Sequence, residues 1–359
     1  MCSAFAGHER KCEGEGLGVI PVGMLHSVRR TALWPRFLSS ACHRRRSCVS
    51  MSAAATAPEP VFLHRLWLRH SSPELSSLRV ATWNVLAQCY TRSSWFPWSR
   101  PTALRQKPRF AALRRDILAL DAALLCLQEV DEYDTFWRDE LSSLGYQSQW
   151  KQRTQRTNPK RDGVLVAWKP SVLTLVEHEE VDHNDLADGV LEQTQRERIE
   201  RDCVALLSLF RLESTGRRVC VGTTHIYWDP ALEDVKDAQV AHLLRRMGAF
   251  RARHGCGDAA LILAGDFNST PSSRAHQVLL NSGQAEQSLP PLRNVFDEEP
   301  AYTNVTPPFT ATIDYLVVSP GVRVDAVLLV PPREQLGEGL PDALRPSDHL
   351  PLVAELGLT

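Results

Sequence analysis

Polar residues suited to phosphate chemistry stand at or beside the ends of six short apolar segments. They are Asn84 in LRVATWNV, Glu129 after ALLCLQ, His225 in RVCVGTTHIYWDP, Asp266 and Asn268 in ALILAGDFN, Asp314 in TATIDYLVV, and Asp348 with His349 in RPSDHLPLVAEL. An unpaired carboxylate at the end of a buried strand is costly, and a hard cation would satisfy Glu129. Mg²⁺ takes one or two carboxylates plus waters and phosphate oxygens; Mn²⁺ is the alternative. Asn84 can support the same ion through its carbonyl oxygen. Taken alone, Glu129 also reads as a salt-bridge partner and Asn84 as a turn-forming amide.

GDFN adds a second pair. Gly265 lets the chain turn sharply, and Asp266 and Asn268 then project on the same side if extended geometry persists. Asp266 is placed to orient and deprotonate a water, and Asn268 to donate to an oxygen that gains charge. His349 can hydrogen-bond or protonate a phosphate, with Asp314 as the partner that orients its other ring nitrogen. Asp348 can reach a metal, and His225 offers a second phosphate donor. Each histidine alone reads more readily as a satisfied structural residue. The chemistry implied is in-line attack of water on a phosphodiester, with a metal neutralising the oxygens. No GxSxG and no P-loop occur, which argues against a covalent serine mechanism and a Walker-type site.

Apolar runs of four to eight residues read as buried strands, and strands of an α/β sheet present functional groups at one rim. Residues 107–120 (KPRFAALRRDILAL) carry helical spacing at Phe110, Leu113, Ile117 and Leu120. A longer helix is predicted over about 231–252, with Val240, Leu243, Leu244, Met247 and Phe250 inward. Strands of both alternating and fully apolar type predict a mixed sheet. Residues 179–202 read as a charged, solvated loop or short helix. Residues 59–77 read as a linker, and 78–359 as the catalytic domain. There is no internal repeat and no leucine-rich array.

The hydrophobic share of 43% and 9 Trp among 359 residues support a sizeable core. No apolar run is long enough for a membrane span. The 9 Cys are scattered without a CxxC pair, which points to reduced thiols and not to a disulfide framework or zinc site; Cys126 reads as a small core residue. Residues 1–58 hold eight Lys/Arg against three Asp/Glu, so +5, which leaves −6 of the formal −1 for the remainder. A domain of that sign is no general phosphate-backbone binder. Between Glu15 and Glu59 there is no acidic residue, while Arg29, Arg30, Arg36, Arg44, Arg45 and Arg46 all fall there. That composition predicts a disordered, transit-like segment over 1–58 and mitochondrial import. Plastid import is the alternative, as is a cytoplasmic protein translated from a downstream Met.

The ordered set WNV, QEV, DGV (Asp162 onward), THIYWDP, GDFN, TNVTPPFTATIDY and SDHLP resembles the endonuclease/exonuclease/phosphatase superfamily over about residues 78–357. Within it, THIYWDP followed by DVKDAQ, and TNVTPPFT before IDY, are similar to the carbon-catabolite-repressor-type deadenylases and nocturnin. LQEVDEYDTFWRDELSSLGYQ resembles the plant and algal members without leucine-rich repeats. The resemblance implies a four-layer α/β sandwich, two packed mixed β-sheets flanked by helices. It implies Glu129 as main Mg²⁺ ligand helped by Asn84, and Asp266 aligning water with Asn268, His225 and His349 on the phosphate. It places an adenine near Pro230 and Phe309, which from spacing alone read as a turn proline and a core aromatic. Asp162 would touch substrate or residues behind it. A missing leucine-rich docking module implies action alone or through other adaptors.

The leading expectation is a Mg²⁺-dependent 3′→5′ exoribonuclease that removes poly(A) from RNA and releases AMP. The alternatives are a phosphatase for adenine dinucleotides such as the 2′-phosphate of NADP(H), and a non-catalytic RNA-binding relative. A groove made locally basic by Arg105, Lys107, Arg109 and Lys151 would suit the first.

Overall fold

Strand segments buried on both faces need a layer on each side, and that requirement shapes this molecule. The computed structural model describes residues 67–70, 77–157, 159–296 and 300–358. The transit-like stretch lies outside the described residues. In chain order the strands are β1 (Trp67–Arg69), β2 (Ser77–Asn84), β3 (Leu124–Gln128), β4 (Gln147–Gln152), β5 (Gly163–Trp168), β6 (Leu173–Asp182), β7 (Val204–Leu212) and β8 (Arg218–His225). They continue with β9 (Ala260–Asp266), β10 (Arg293–Asn294), β11 (Asn304–Thr306), β12 (Phe309–Ala311), β13 (Asp314–Val318), β14 (Val322–Leu328) and β15 (Leu352–Leu358). The helices are α1 (Gln106–Leu120), α2 (Arg138–Ser143), α3 (Gln193–Ile199), α4 (Glu233–Arg253), α5 (Arg274–Leu280) and α6 (Ser282–Ala285).

One sheet runs β1-β14-β15-β2-β3-β5-β4 and the other β10-β13-β9-β8-β7-β6, with β11 and β12 as a separate hairpin. The inner faces meet in one cluster, in which Val80, Leu124, Cys126 and Val166 of the first sheet face Leu206, Val221, Ile262 and Leu316 of the second. The alternate residues of the same strands, Ala81, Trp83, Leu125 and Leu127, turn outward onto Phe110, Leu113 and Ile117 of α1 and Leu141 of α2. Leu207, Leu261 and Leu263 turn the other way onto Leu243, Met247 and Phe250 of α4 and Leu279 of α5. This is the four-layer mixed sandwich that the sequence predicts. The continuous apolar runs follow from strands packed on both faces. Glu233 and Asp234 in the first turn of α4, and Arg251 and Arg253 in its last, complement the helix dipole.

Three local expectations are corrected. The linker contributes β1, which pairs antiparallel with β14 at a sheet edge. Of the charged excursion, Glu179 to Asp182 continue β6 in register with β7; a sheet edge exposed on one face tolerates such charges. Gly265 makes no turn. It lies inside β9, where a Cβ would sit 2.3 Å from the carbonyl oxygen of Thr224 in neighbouring β8. The two sheets are also tied near one end, because Gln128 Nε2 donates to Thr82 Oγ1 (3.2 Å) beside it and to Thr223 Oγ1 (3.0 Å) across the interface.

Gly265→Ala forces backbone apart and is expected to cost about 1–3 kcal/mol, the range for overpacking. Urea denaturation checks it against Gly257→Ala, whose Cβ would meet nothing within 4 Å. Equal midpoints for the two variants would refute the close-approach account.

Candidate active site

Parallel β2 and β3 end at Asn84 and Gln128, and parallel β8 and β9 end at His225 and Asp266. Their antiparallel neighbours β13 and β15 begin where those strands end. Asp314 therefore opens β13 directly opposite Asp266, instead of closing the TATI run. Asp348 and His349 sit in the turn before β15. One rim thus collects side chains from positions 84 to 349.

Asn84 occupies the middle. Its Nδ2 donates to Glu129 Oε1 (3.0 Å) and to Asp266 Oδ2 (2.9 Å), while its Oδ1 accepts from the Leu86 amide (3.0 Å). The amide nitrogen, not the expected carbonyl oxygen, faces the carboxylates, since two acceptors on one side demand a donor. Glu129 stands just past β3 with φ 56°. Its Oε2 accepts from the Ala87 amide at 3.0 Å. Burial, and then the nearby carboxylates of Asp348 and Asp162, push the Glu129 carboxyl up to about 7. Keeping it ionised with no cation at hand costs on the order of a few kcal/mol.

Asp266 is buried as well. Burial and the adjacent Asp314 push its carboxyl up to about 7, against the lowering influence of His349 and Asn84. Its Oδ1 accepts from the Asn268 amide at 2.9 Å. The chain turns there with Asn268 at φ 45°, a left-handed conformation that Asn tolerates. Extended geometry therefore ends at Asp266, and the two side chains do not project in parallel. Asn268 Nδ2 donates to the Ile226 carbonyl at 2.9 Å; its second amide hydrogen is the one available to a ligand.

His349 Nδ1 lies 2.8 Å from Asp314 Oδ2, and its Nε2 lies 3.8 Å from Asp266 Oδ2. Burial disfavours its charged form, but Asp314, Asp348 and Asp266 outweigh that and hold the imidazole well above its ordinary value. His225 is the opposite case. Burial, then Arg153 and His349, hold it well below the ordinary value and neutral, with Nε2 3.5 Å from Asp266 Oδ2. The rim therefore offers one cationic and one neutral imidazole.

Asp162, expected to touch substrate or residues behind it, is buried behind the rim. It accepts from Tyr90 Oη (2.8 Å) and Arg153 Nε (2.8 Å). Arg109, expected in a basic groove, is also buried. It donates to the Leu86 and Pro346 carbonyls and to Gln88 Oε1 (3.2 Å), holding together the loops that precede Glu129's backbone partner and His349. Lys151 is paired with Glu180 at 2.9 Å. Pro230 is exposed at the start of a 3-10 turn and Phe309 is half-buried on β12; both stand outside the hydrogen-bonded cluster. Two of these buried placements had a legible signal. Arg109 falls on the inward stripe with Leu113 and Ile117, and Arg153 follows directly on the β4–β5 pairing of Gln152 with Gly163, which sets it opposite Asp162.

The donor set suits a divalent cation. Asp348 Oδ1, Asp314 Oδ1 and His225 Nδ1 are buried without a hydrogen-bond partner, and hard cations take such oxygens. Ligand atoms of Asp266, Asp314 and His349 all lie within 4.8 Å of one another, but there the imidazolium already balances the carboxylates. Among the described residues neither Glu129 nor Asp348 is in an ion pair, and the nearby Arg109 guanidinium is taken up by backbone carbonyls, so charge favours that side of the rim for a metal.

A sandwich with this rim is the framework of a metal-dependent phosphodiesterase. Residues 81–349 match the Endonuclease/Exonuclease/phosphatase family, and the chain belongs to it. Within that family it falls among the carbon-catabolite-repressor-type, nocturnin-like proteins. It is 34% identical over 354 residues to Carbon catabolite repressor protein 4 homolog 4 of Arabidopsis thaliana, covering 86% of this chain and 82% of that one. It is 26% identical to the CCR4-Not complex 3′-5′-exoribonuclease subunit Ccr4 of Candida albicans, covering 80% of this chain and 42% of that longer one. Among solved structures it is similar to ANGEL2, a 2′,3′-cyclic phosphatase, in complex with adenosine-2′,3′-vanadate (TM-score 0.69, 25% identity, 81% of this chain and 98% of that). It is also similar to the human Nocturnin catalytic domain with bound sulfate (TM-score 0.64, 25% identity, 84% and 100%).

Glu129 and Asp266 bind protons more tightly in the folded chain than in the unfolded one. They favour folding below about pH 4, and that contribution is lost as pH rises through about 7. His225, held neutral, acts in the opposite direction below its ordinary value of 6.5. Mg²⁺ competes with the carboxyl protons, so it should raise Tm more at pH 8 than at pH 5 in thermal scans. An equal shift at both would place the cation elsewhere.

Proposed function

We propose that this chain is a Mg²⁺-dependent 3′→5′ exoribonuclease that shortens poly(A) and releases AMP. The observation that carries the reading is the convergence of Glu129, Asp266 and His349 on one rim, in a chain whose relatives include proteins named as 3′-5′-exoribonucleases. Glu129 with Asp348 would hold the cation, which when bound neutralises phosphate oxygens and steadies the leaving oxygen.

The chain's own groups supply the rest. Asp266, with a carboxyl near 7, accepts a proton from the attacking water close to working pH. Asn84 fixes its orientation and that of Glu129 with a single amide. His349, kept cationic by Asp314, donates to a non-bridging phosphate oxygen. His225 and the second amide hydrogen of Asn268 add neutral donors aimed at developing charge. Pro230 and Phe309 flank the adenine, by resemblance.

A second reading, a phosphatase for small adenosine phosphates such as NADP(H), draws support from the adenosine-2′,3′-vanadate held by the ANGEL2 structure. The filled metal and phosphate positions speak against a non-catalytic RNA-binding relative. Purified protein with Mg²⁺ should ladder 5′-labelled poly(A) in preference to mixed RNA, and should lose activity in EDTA. Phosphate release from NADP(H) without laddering would select the second reading. Glu129→Ala or Asp266→Ala should lower turnover by at least about 10²-fold, as for lost acid–base or electrostatic assistance, with the far-UV circular dichroism unchanged.

The Arg-rich stretch without acids before Glu59 supports mitochondrial import. A fluorescent reporter fused behind residues 1–58 should enter mitochondria; a diffuse signal or plastid uptake would overturn that.

A further inference from the structure

From Val85 to Arg115 the chain has seven Lys/Arg and no Asp/Glu, inside a domain that is net negative. Three of those cations are accounted for. Arg109 is buried on backbone carbonyls, Arg114 pairs with Glu140 at 2.7 Å, and Arg115 pairs with Asp116 at 2.7 Å. The other four, Arg92, Arg100, Arg105 and Lys107, are exposed. Among the described residues none of the four pairs with a carboxylate, unlike exposed Arg138 on Asp134 and Arg253 on Glu179.

The same segment is aromatic. Tyr90 and Trp95 stack with ring centroids 6.3 Å apart and planes 22° apart. The Arg92 guanidinium lies 5.1 Å over the Trp95 ring. Both rings are half-buried, with part of each surface open to solvent. One end of the segment is anchored behind the catalytic rim, where Tyr90 donates to Asp162 and the Cys89 amide to Asp131 Oδ2 (3.0 Å). Further along, Trp98 Nε1 and Ser99 Oγ donate to the carbonyls of Leu340 (2.9 Å) and Pro341 (2.5 Å). Trp98 there approaches Gly339 together with Pro307, two residues before Phe309. The segment therefore arches from the Asp162 side of the rim to the loop beside the β11–β12 hairpin. Unpaired cations interleaved with stacked rings are what single-stranded nucleic acid uses: phosphates meet the charges and bases meet the ring faces.

We propose that residues 88–107 form the surface that carries the body of a single-stranded RNA while its 3′ end occupies the rim. The inference rests on the exoribonuclease reading and deepens it. A mononucleotide or dinucleotide seated at the rim does not need this surface; a polynucleotide does. The segment thus selects long substrates over short ones that share the same reactive end, despite the overall negative charge.

The test is fluorescence anisotropy of full-length protein with labelled A20 in EDTA, paired with hydrolysis of ApA in Mg²⁺. The variant R92Q/R100Q/R105Q/K107Q changes exposed side chains and leaves the rim intact. It should weaken A20 binding by about tenfold or more, and reduce the slope of log Kd against log salt by about 0.7 for each phosphate no longer neutralised. Trp95→Ala should weaken it by about five- to a hundredfold, the range for removing a stacking platform. ApA hydrolysis should stay within about twofold, as expected when uniform binding at a distant site is removed. An unchanged Kd and slope in the quadruple variant, no A20 binding by the unsubstituted chain, or equal competition by duplex RNA would overturn the proposal. If A20 binds through this segment but poly(A) is not shortened, the exoribonuclease reading fails and the binding surface stands. If poly(A) is shortened and the four substitutions change nothing, the surface fails and the reading stands.

Discussion

The amide of Asn84 stands between two carboxylates that sit on different sheets, and the rim is organised around it. Glu129 belongs to the first sheet and Asp266 to the second, and each accepts a hydrogen from the same nitrogen. Burial, reinforced by neighbouring carboxylates, drives both acids towards their neutral forms, so the fold stores a demand for positive charge at a fixed place. On one side His349 meets that demand, held cationic by Asp314. On the other side, among the described residues, neither Glu129 nor Asp348 has an ion-pair partner, and Arg109 nearby donates to carbonyls. The asymmetry divides the rim into a part balanced by the protein and a part that suits a divalent ion.

The topology explains how acids so far apart in sequence converge. A strand can deliver a residue to the rim either by ending there or by starting there. β2, β3, β8 and β9 do the first, while β13 and β15, antiparallel to their neighbours, do the second. Mixed sheets thus draw functional groups from both ends of strands, which a purely parallel sheet cannot. The Asp314–Asp266 pairing is a direct product of that register, and it puts the orienting carboxylate one strand away from the acid whose proton affinity it raises.

Much of this was legible in the residue pattern. The runs ALLCLQ and ALILAGD announced strands covered on both faces, and the named polar residues fell at strand termini or in the turns beside them. What the pattern hid were features set by register and by side-chain hydrogen bonding. Gly265 reads as a turn beside Asp266, yet it is needed because β8 and β9 approach closely. Asn268 reads as in phase with Asp266 until the left-handed backbone is known. Arg109 and Asp162 are charges of the kind usually placed at a surface, and burial with specific partners is a tertiary fact. The short strand β1 was illegible because three residues carry too little periodicity to separate from a linker.

Gln128 has an implication for motion. By reaching across to Thr223 while bonded to Thr82, it pins the sandwich at the end where the acids lie. A hydrogen bond has a direction and a length that apolar contact lacks, so this tie resists sliding of one sheet over the other at the end that carries Glu129 and Asp266.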